Sequence, residues 1–146
     1  MAEELKAKAR RIWEEIIPSG DVDHLAEVIG EDSIDHSARP DEPQGLVGVQ
    51  QTMLWLASVF SDQRWEINQV IGEDDTVVVY CTFHGRHTGD LMGIPPTNRE
   101  VAYDYIQILR FRDGKAVERW GVRDDMALMQ QLGVLPGRPE PVAASR

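Results

Sequence analysis

The most constraining feature of this sequence is a long alternating segment that ends at the dipeptide Asp113-Gly114 and is followed by a second strand-like run. Along Val101–Arg112, apolar residues recur at every second position, which is the period of a strand with one buried face. Asp-Gly between two such runs is a strong signal of a tight hairpin, so Lys115–Arg123 is predicted to pair back along the first strand. The chain must therefore fold around a sheet.

Two further strands precede this hairpin, at Trp65–Ile71 and Thr76–Thr88, with a turn at Gly72–Asp75 between them. Helices before and after the strands indicate an α+β fold, in which helices cover one face of a curved antiparallel sheet. A sheet covered in this way leaves a tapered interior, so we expect an internal pocket. Helical spacing predicts helices over the first fifteen or so residues, from Asp21 to near Gly30, from Leu46 to Phe60 and from about Asp125 to Leu132, with loops at Asp35–Gly45 and Gly89–Asn98.

Length and charge limit the domain count and the partners. The chain has 146 residues, which we interpret as one domain over 1–135 and a mobile tail over 136–146. Its 25 acidic residues against 15 Lys and Arg give a net charge of −10, which argues against nucleic-acid and membrane partners because phosphate groups are repelled. The single cysteine and the charged, polar N-terminus predict a cytoplasmic protein without disulfides.

Strand alternation predicts which side chains face the interior. The odd positions of Thr76–Thr88 are more apolar than the even ones, so the odd row, with His87 near its end, should face inward. The inward row of the next strand then contains Tyr103, Tyr105 and Gln107. Its opposite row is also partly apolar, so we expect a second copy of the chain to cover it, in a homodimer or homotetramer.

On the last strand, the row that contains Trp120 is more apolar than the basic row beside it, so we expect Trp120 to face inward. The same parity carries Glu118 and Asp124 inward, and two carboxylates would then lie near the imidazole of His87. An apolar wall around Asp124 would raise its pKa towards neutrality, as general acid/base chemistry needs. Aspartate before a helix is also a preferred N-cap, so a structural role for Asp124 stays open.

Other catalytic arrangements are not supported by the sequence. His84 and His87 lie three residues apart on one strand, so their side chains point to opposite faces and are poorly placed to share a metal. Neither a nucleophile elbow nor a phosphate-binding loop is present. We therefore expect no metal and no cofactor.

Four segments form a combined pattern: Asp35-His36 with the Pro-rich loop up to Gly45, HGRHTGDLMGIPPTNREV, ILRFRDGKAVERWGVRDD and MALMQQLGVLP. Over roughly 100 residues this combination resembles the SnoaL-like polyketide cyclases, or ester cyclases, of the nuclear-transport-factor-2-like superfamily. The resemblance implies a cone of curved sheet closed by helices. It also implies ring closure by an intramolecular aldol reaction on a polyketide methyl ester, without metal or cofactor.

The resemblance assigns roles to individual positions. Asp124, four residues after Trp120, corresponds to the aspartate that acts as general acid/base, and His36, His87 and Gln107 correspond to pocket positions. The sequence departs from the family around Gly85, where His84 and Arg86 stand in place of smaller or hydroxyl residues, and at Tyr80, where a basic residue is common. These departures leave the substrate and the roles of His84 and Arg86 open.

The sequence thus predicts a cofactor-free cyclase or isomerase acting on a small, largely apolar carbonyl compound such as a polyketide ester. Asp124 and His87 are the predicted catalytic residues. A weak base is sufficient because an enolate between two carbonyl groups is delocalised. The predicted substrate-binding residues are His36, Gln107, Tyr105, Trp120, Glu118, Tyr103 and Met92.

Three other functions remain compatible with the sequence, and one of them is a dimerisation or assembly domain, whose cavity would be filled by side chains. A non-catalytic small-molecule-binding protein would keep the same fold and the same pocket. An epoxide hydrolase-like enzyme would need two aspartates bridged by an arginine around one water molecule. Asp104 and Arg110 have the wrong parity to form that group with Asp124, which counts against this alternative.

Overall fold

The computed structural model describes residues 2–136, and in this part of the chain five strands form one sheet with two free edges. The strands are β1 (Ile29–Asp35), β2 (Phe60–Glu73), β3 (Thr76–His87), β4 (Glu100–Arg112) and β5 (Lys115–Arg123). Their order across the sheet is β1-β5-β4-β3-β2, and β1 runs parallel to β5, whereas the other neighbouring pairs are antiparallel. The predicted α+β fold with a curved sheet is confirmed, although the sheet is mixed and does not close on itself.

The N-terminal helix begins as α1 (Ala2–Arg11), continues through a π-helical segment (Ile12–Ile16) and ends as α2 (Ile17–Ser19). It stops at Gly20, whose φ of 76° is the left-handed conformation of a helix C-cap. α1 packs against β2 and β3. In the described part of the chain, no helix combines the length and the apolar character needed to cross a bilayer. The later elements are a 3-10 helix (Val22–Glu27), α3 (Gly45–Val59) and α4 (Asp125–Gln131).

The predicted helix from Asp21 to near Gly30 is only partly correct. It is a 3-10 helix that ends at Glu27, and Ile29 already belongs to β1. A short apolar run does not by itself distinguish helix from strand, and here the pairing of Ile29 with Ala116 of β5 decides for strand. The predicted mobile tail, 136–146, lies outside the described residues apart from Pro136.

The predicted inward row of β3 is confirmed. Burial alternates at every position of the strand, and Val77, Val79, Cys81 and Phe83 are completely buried. These side chains form the core together with the inward row of β4 and the buried stripes of α1 and α3. The regular alternation follows from the pleat of an unbroken strand with helices on one face.

The predicted parity of β5 is wrong, because a β-bulge lies near the start of the strand. The pairing of β4 with β5 passes over Val117, which is an extra residue between Ala116 and Glu118. One extra residue inverts the alternation of everything that follows it. As a result, the register places Arg119, Gly121 and Arg123 in the inner row, and Glu118, Trp120 and Val122 in the outer row.

Candidate active site

A cavity of about 570 Å³ lies between the inner face of the sheet, the N-terminal helix and α3. This volume is within the range of about 300–1,000 Å³ that is typical of small-molecule sites. Aliphatic and aromatic side chains make most of its wall. They include Ile12, Trp13, Leu25, Val49, Met53 and Leu109.

The polar part of the wall is centred on the guanidinium of Arg119. Its Nε donates to Oε1 of Gln107 at 2.9 Å, and its Nη1 donates to Oδ2 of Asp35 at 2.6 Å. The third nitrogen, Nη2, donates to the hydroxyl oxygen of Tyr105. All four residues line the cavity, so an otherwise apolar hollow has one polar corner.

Asp35 is held in this corner by its own loop. The side-chain amide of Gln44 bonds both backbone groups of Asp35, at 2.7 and 3.0 Å, and the N–H of Ser37 donates to the Asp35 carboxylate at 2.9 Å. The Asp35 side chain is 27% exposed, against 36% for Glu42 and 59% for Asp125. Asp35 is therefore the least exposed of the acids that line the cavity.

Tyr105 brings both an aromatic surface and a hydroxyl group to the same corner. Its ring meets Trp65 edge-on, with centroids 5.9 Å apart, and the Arg119 guanidinium lies 5.6 Å from its centroid. Burial raises the pKa of Tyr105, and the neighbouring arginines Arg119 and Arg123 oppose that shift only in part. The phenol is consequently protonated at neutral pH and can donate a hydrogen bond.

The predicted position of Asp124 in the pocket is wrong. Its carboxylate accepts the N–H of Ala127 at 3.0 Å and caps α4, and the residue does not line the cavity. The N-cap alternative describes this arrangement. The bulge explains the error, because it reverses the parity that was expected to carry Asp124 inward with Trp120.

His87 faces inward but lies outside the cavity. It is completely buried, and its Nδ1 accepts the N–H of Thr97 at 3.1 Å. This bond ties the end of β3 to the loop before β4. The other ring nitrogen, Nε2, has no hydrogen-bond partner in residues 2–136, and the ring packs against Phe60 with centroids 5.9 Å apart. The predicted pairing of His87 with Asp124 at one site is not present.

Three predicted site residues meet on the outer face of the sheet. His36 stacks on Trp120, with centroids 4.6 Å apart and planes 11° apart. Its Nε2 is 2.8 Å from Oε2 of Glu118, and the other carboxylate oxygen of Glu118, Oε1, pairs with Arg110. The inward positions predicted for Trp120 and Glu118 are wrong for the same reason as Asp124.

Two remaining candidates are placed separately. Tyr103 is 4% exposed, packs on Phe83 and is not part of the cavity wall. Met92 lines the cavity at its outer end, where its sulfur is 3.7 Å from a guanidinium nitrogen of Arg39. Among the predicted binding residues, Gln107, Tyr105 and Met92 thus border the cavity.

Sequence reasoning missed Asp35 and Arg119 as site residues. Asp35 stands in the Asp-His pair on which the family resemblance partly rests, so the motif contained a signal for it. Arg119 belongs to the basic row of the last strand, which the alternation predicts to face away from the interior, and no residue near it signals the bulge. Among residues 2–136, no cluster of three His, Cys, Asp or Glu side chains is arranged to hold a metal ion.

Comparisons with known proteins point to one family. A family model described as "SnoaL-like polyketide cyclase" matches residues 7–132. Nogalonic acid methyl ester cyclase of Streptomyces nogalater is 31% identical over 84 residues, which span 57% of this chain and only 63% of that protein. Aklanonic acid methyl ester cyclase DnrD of Streptomyces peucetius is 27% identical over 119 residues, covering 79% and 81% of the two chains.

A solved structure shows the same fold over almost the whole chain. AclR of Streptomyces galilaeus, proposed to be a hydroxylase, superposes with a TM-score of 0.84 at 27% identity and covers 99% of this chain and 90% of its own. The similarity therefore extends across both the sheet and the helices that enclose the cavity.

Proposed function

This chain belongs to the SnoaL-like polyketide cyclase family, and on that premise we propose that it closes a ring in a small, largely apolar carbonyl compound such as a polyketide ester. The reaction would need no cofactor and would proceed by proton transfer within the cavity. One observation carries the proposal: Asp35, the least exposed acid of the cavity wall, bonds to the same guanidinium as Tyr105 and Gln107. The two cyclase relatives, named for acid methyl esters, support the substrate class.

Asp35 would act as the general base and then as the general acid. Its carboxylate takes a proton from the carbon between two carbonyl groups of the substrate, and the resulting enolate carbon attacks a further carbonyl carbon of the same molecule. A carbon–carbon bond forms, and the attacked oxygen becomes an alkoxide that takes the proton back from Asp35. No atom is lost or gained, so the overall step is an isomerisation that needs no co-reactant.

The cavity wall would lower the barrier by electrostatic stabilisation. Negative charge develops first on the enolate oxygen and then on the alkoxide, and both need hydrogen-bond donors that are already in place. Tyr105 and Gln107 share the Arg119 guanidinium with Asp35 and supply such polar groups. Most of the surrounding wall is apolar and offers no competing hydrogen bonds.

Turnover of an anthraquinone-type β-keto methyl ester, followed by absorbance and product chromatography, tests this assignment. We expect Asp35→Asn to lower kcat by about 10²–10⁴, the usual contribution of a general base. Asp124→Asn is the matched control, because asparagine keeps the capping oxygen of α4 and should retain activity within about twofold. Full turnover by Asp35→Asn would remove Asp35 as the base.

The non-catalytic alternative makes a different prediction in the same experiment. A binding protein would quench the fluorescence of cavity tryptophans such as Trp65 on adding the ester, and would bind Asp35→Asn equally well, without forming product. The epoxide hydrolase alternative needs an arginine that bridges two aspartates. Within residues 2–136, Arg119 pairs with Asp35 and with no second carboxylate, which counts against this alternative.

We further propose that the outer sheet face joins two copies of the chain. Ile106 and Trp120 are 47% and 37% exposed on this face, and Val122, which also lines the cavity, is 75% exposed, so an apolar patch is in contact with water. Light scattering after size exclusion should give a dimer or tetramer for the wild type and a monomer for Ile106→Arg. Val47→Arg, at a position on α3 that is 55% exposed, should leave the assembly unchanged. A cytoplasmic location stays a prediction.

A further inference from the structure

The hydrogen bonds of Arg119 determine which atoms of the cavity wall donate and which accept. A guanidinium has donors only. Because Arg119 Nε donates to the Gln107 side chain, the bonded atom must be the amide oxygen, which turns the Gln107 NH2 group away from Arg119. The oxygen of Tyr105 likewise accepts from Arg119, so the Tyr105 proton is directed elsewhere.

We propose that Arg119 is a positioning residue that sets the hydrogen-bonding polarity of the cavity. It leaves one acceptor, the Asp35 carboxylate, beside two donors, the Gln107 NH2 and the Tyr105 hydroxyl. The proposal rests on the proposed function for the role of these groups, since an enolate oxygen needs donors and a C–H proton needs an acceptor. Arg119 itself is engaged by protein atoms at all three nitrogens and acts through its neighbours.

The inference follows from what would happen without the guanidinium. The Gln107 amide could rotate by half a turn and present its oxygen to the substrate, and the Tyr105 hydroxyl would be free to donate to Asp35. Both changes place an acceptor, or an occupied donor, where the enolate oxygen needs a free donor. The bulge at Val117 is the feature that turns Arg119 to the inner face and makes this arrangement possible.

Kinetics of Arg119→Lys give the first test. Lysine keeps the charge but cannot hold three partners in one plane. We expect kcat to fall by about 10²–10³, as for the loss of a preorganised donor, and KM to change by less than about threefold because the apolar walls still bind the substrate. Arg110→Lys, on the outer face of the same hairpin, should change neither constant by more than about twofold.

A double-mutant cycle separates positioning from general support of the fold. If Arg119 acts through Gln107, then Arg119→Lys should cost much less in kcat when Gln107 is already leucine than it does in the wild type. If the two effects multiply independently, the positioning role is overturned. Thermal unfolding of every variant shows whether activity loss reflects unfolding.

Nuclear magnetic resonance tests the same point without relying on turnover. The side-chain NH2 signals of Gln107 are identified by their loss in Gln107→Leu. We expect 1-hydroxyanthraquinone to shift these signals in the wild type, but not in Arg119→Lys, even where tryptophan quenching shows that the probe binds.

The outcomes are distinguishable. Wild-type protein that shows the shift but forms no ring product would refute the proposed function and keep the positioning role. Gln107 signals that respond identically in both proteins would refute the positioning role. If Arg119→Lys does not fold, the wild type still decides, because the bound probe must give nuclear Overhauser contacts to the Gln107 NH2 protons.

Discussion

The two faces of the sheet around β5 carry similar chemistry in different surroundings. Each has a carboxylate paired with an arginine: Asp35 with Arg119 inside, and Glu118 with Arg110 outside. The side-chain exposures are similar, 27% for Asp35 and 19% for Glu118, so carboxylate burial does not separate the two pairs. The difference is that the inner pair borders a cavity with apolar walls and the outer pair does not.

This comparison shows that enclosure, rather than residue type, marks the candidate site. The outer cluster also contains the imidazole of His36 and the indole of Trp120, so it has as many groups suited to catalysis or binding as the inner one. An open sheet face, however, offers no hollow in which a ligand could be separated from water. Charge pairs and hydrogen bonds act more strongly on a bound molecule where water is excluded.

The largest contrast is expected between two tyrosines on opposite faces. Tyr105→Phe removes the inner hydroxyl and should lower kcat by about 10²–10³. Tyr80→Phe removes an outer hydroxyl that donates to Asp104 at 3.0 Å and should leave kcat within about twofold. Steady-state kinetics on the two purified variants decide; equal losses would mean that the face of the sheet is irrelevant to activity.

The next contrast concerns stability along a single strand. Val79 is completely buried, whereas its neighbour Val78 is partly exposed on the other face. We expect Val79→Ala to lower the free energy of unfolding by about 2–3 kcal/mol and Val78→Ala by less than about 1 kcal/mol. Urea denaturation measures both losses, provided that the dependence of the free energy of unfolding on urea concentration is the same in the variants and the wild type. A comparable loss for Val78→Ala would show that the two faces of β3 do not differ in packing.

A smaller effect is expected at the end of β5, where Asp124 caps α4. Asp124→Ala should lower the free energy of unfolding by about 1 kcal/mol, and Asp124→Asn by a few tenths at most, because asparagine caps nearly as well. Neither substitution should reduce ring closure beyond about twofold. Loss of activity in both variants with stability intact would restore Asp124 as a catalytic candidate.

The smallest effect at neutral pH belongs to Cys81 on the inner face of β3. Burial raises the pKa of this thiol from 9.0 to about 12. Between these two pH values the thiol is protonated in the folded state and deprotonated in the unfolded state. The contribution to stability is fully present below pH 9 and declines as pH rises towards 12. The stability difference between wild type and Cys81→Ala should therefore stay constant up to about pH 8.5 and shrink above it. If the stability difference between wild type and Cys81→Ala did not change up to about pH 10.5, burial would not be raising the pKa of this thiol.

Much of the fold could be predicted because its signals are local. The alternation of β3 and the Asp113-Gly114 turn each specify their structure within a few residues, and both are present as predicted. β1 could not be predicted in this way. It is a short edge strand whose conformation depends on pairing with β5, which lies more than eighty residues further along the chain.

The candidate site was predictable only in part. Gln107 and Tyr105 follow from the unbroken alternation of β4, and both line the cavity. Arg119 and Asp35 do not, because one lies beyond a bulge and the other at the end of the edge strand. Trp120 and Glu118 were misplaced because a single extra residue, Val117, moves every later side chain of β5 to the opposite face.

The sequence by itself determined the class of fold, the family and the residue types available for chemistry, since these depend on periodicity, turns and motifs that neighbouring residues carry. Only the tertiary structure decided which arginine and which aspartate share a hollow. That outcome depends on strand register, which arises from contacts between residues that are distant along the chain. The alternation of apolar and polar residues does not indicate where a β-bulge interrupts it.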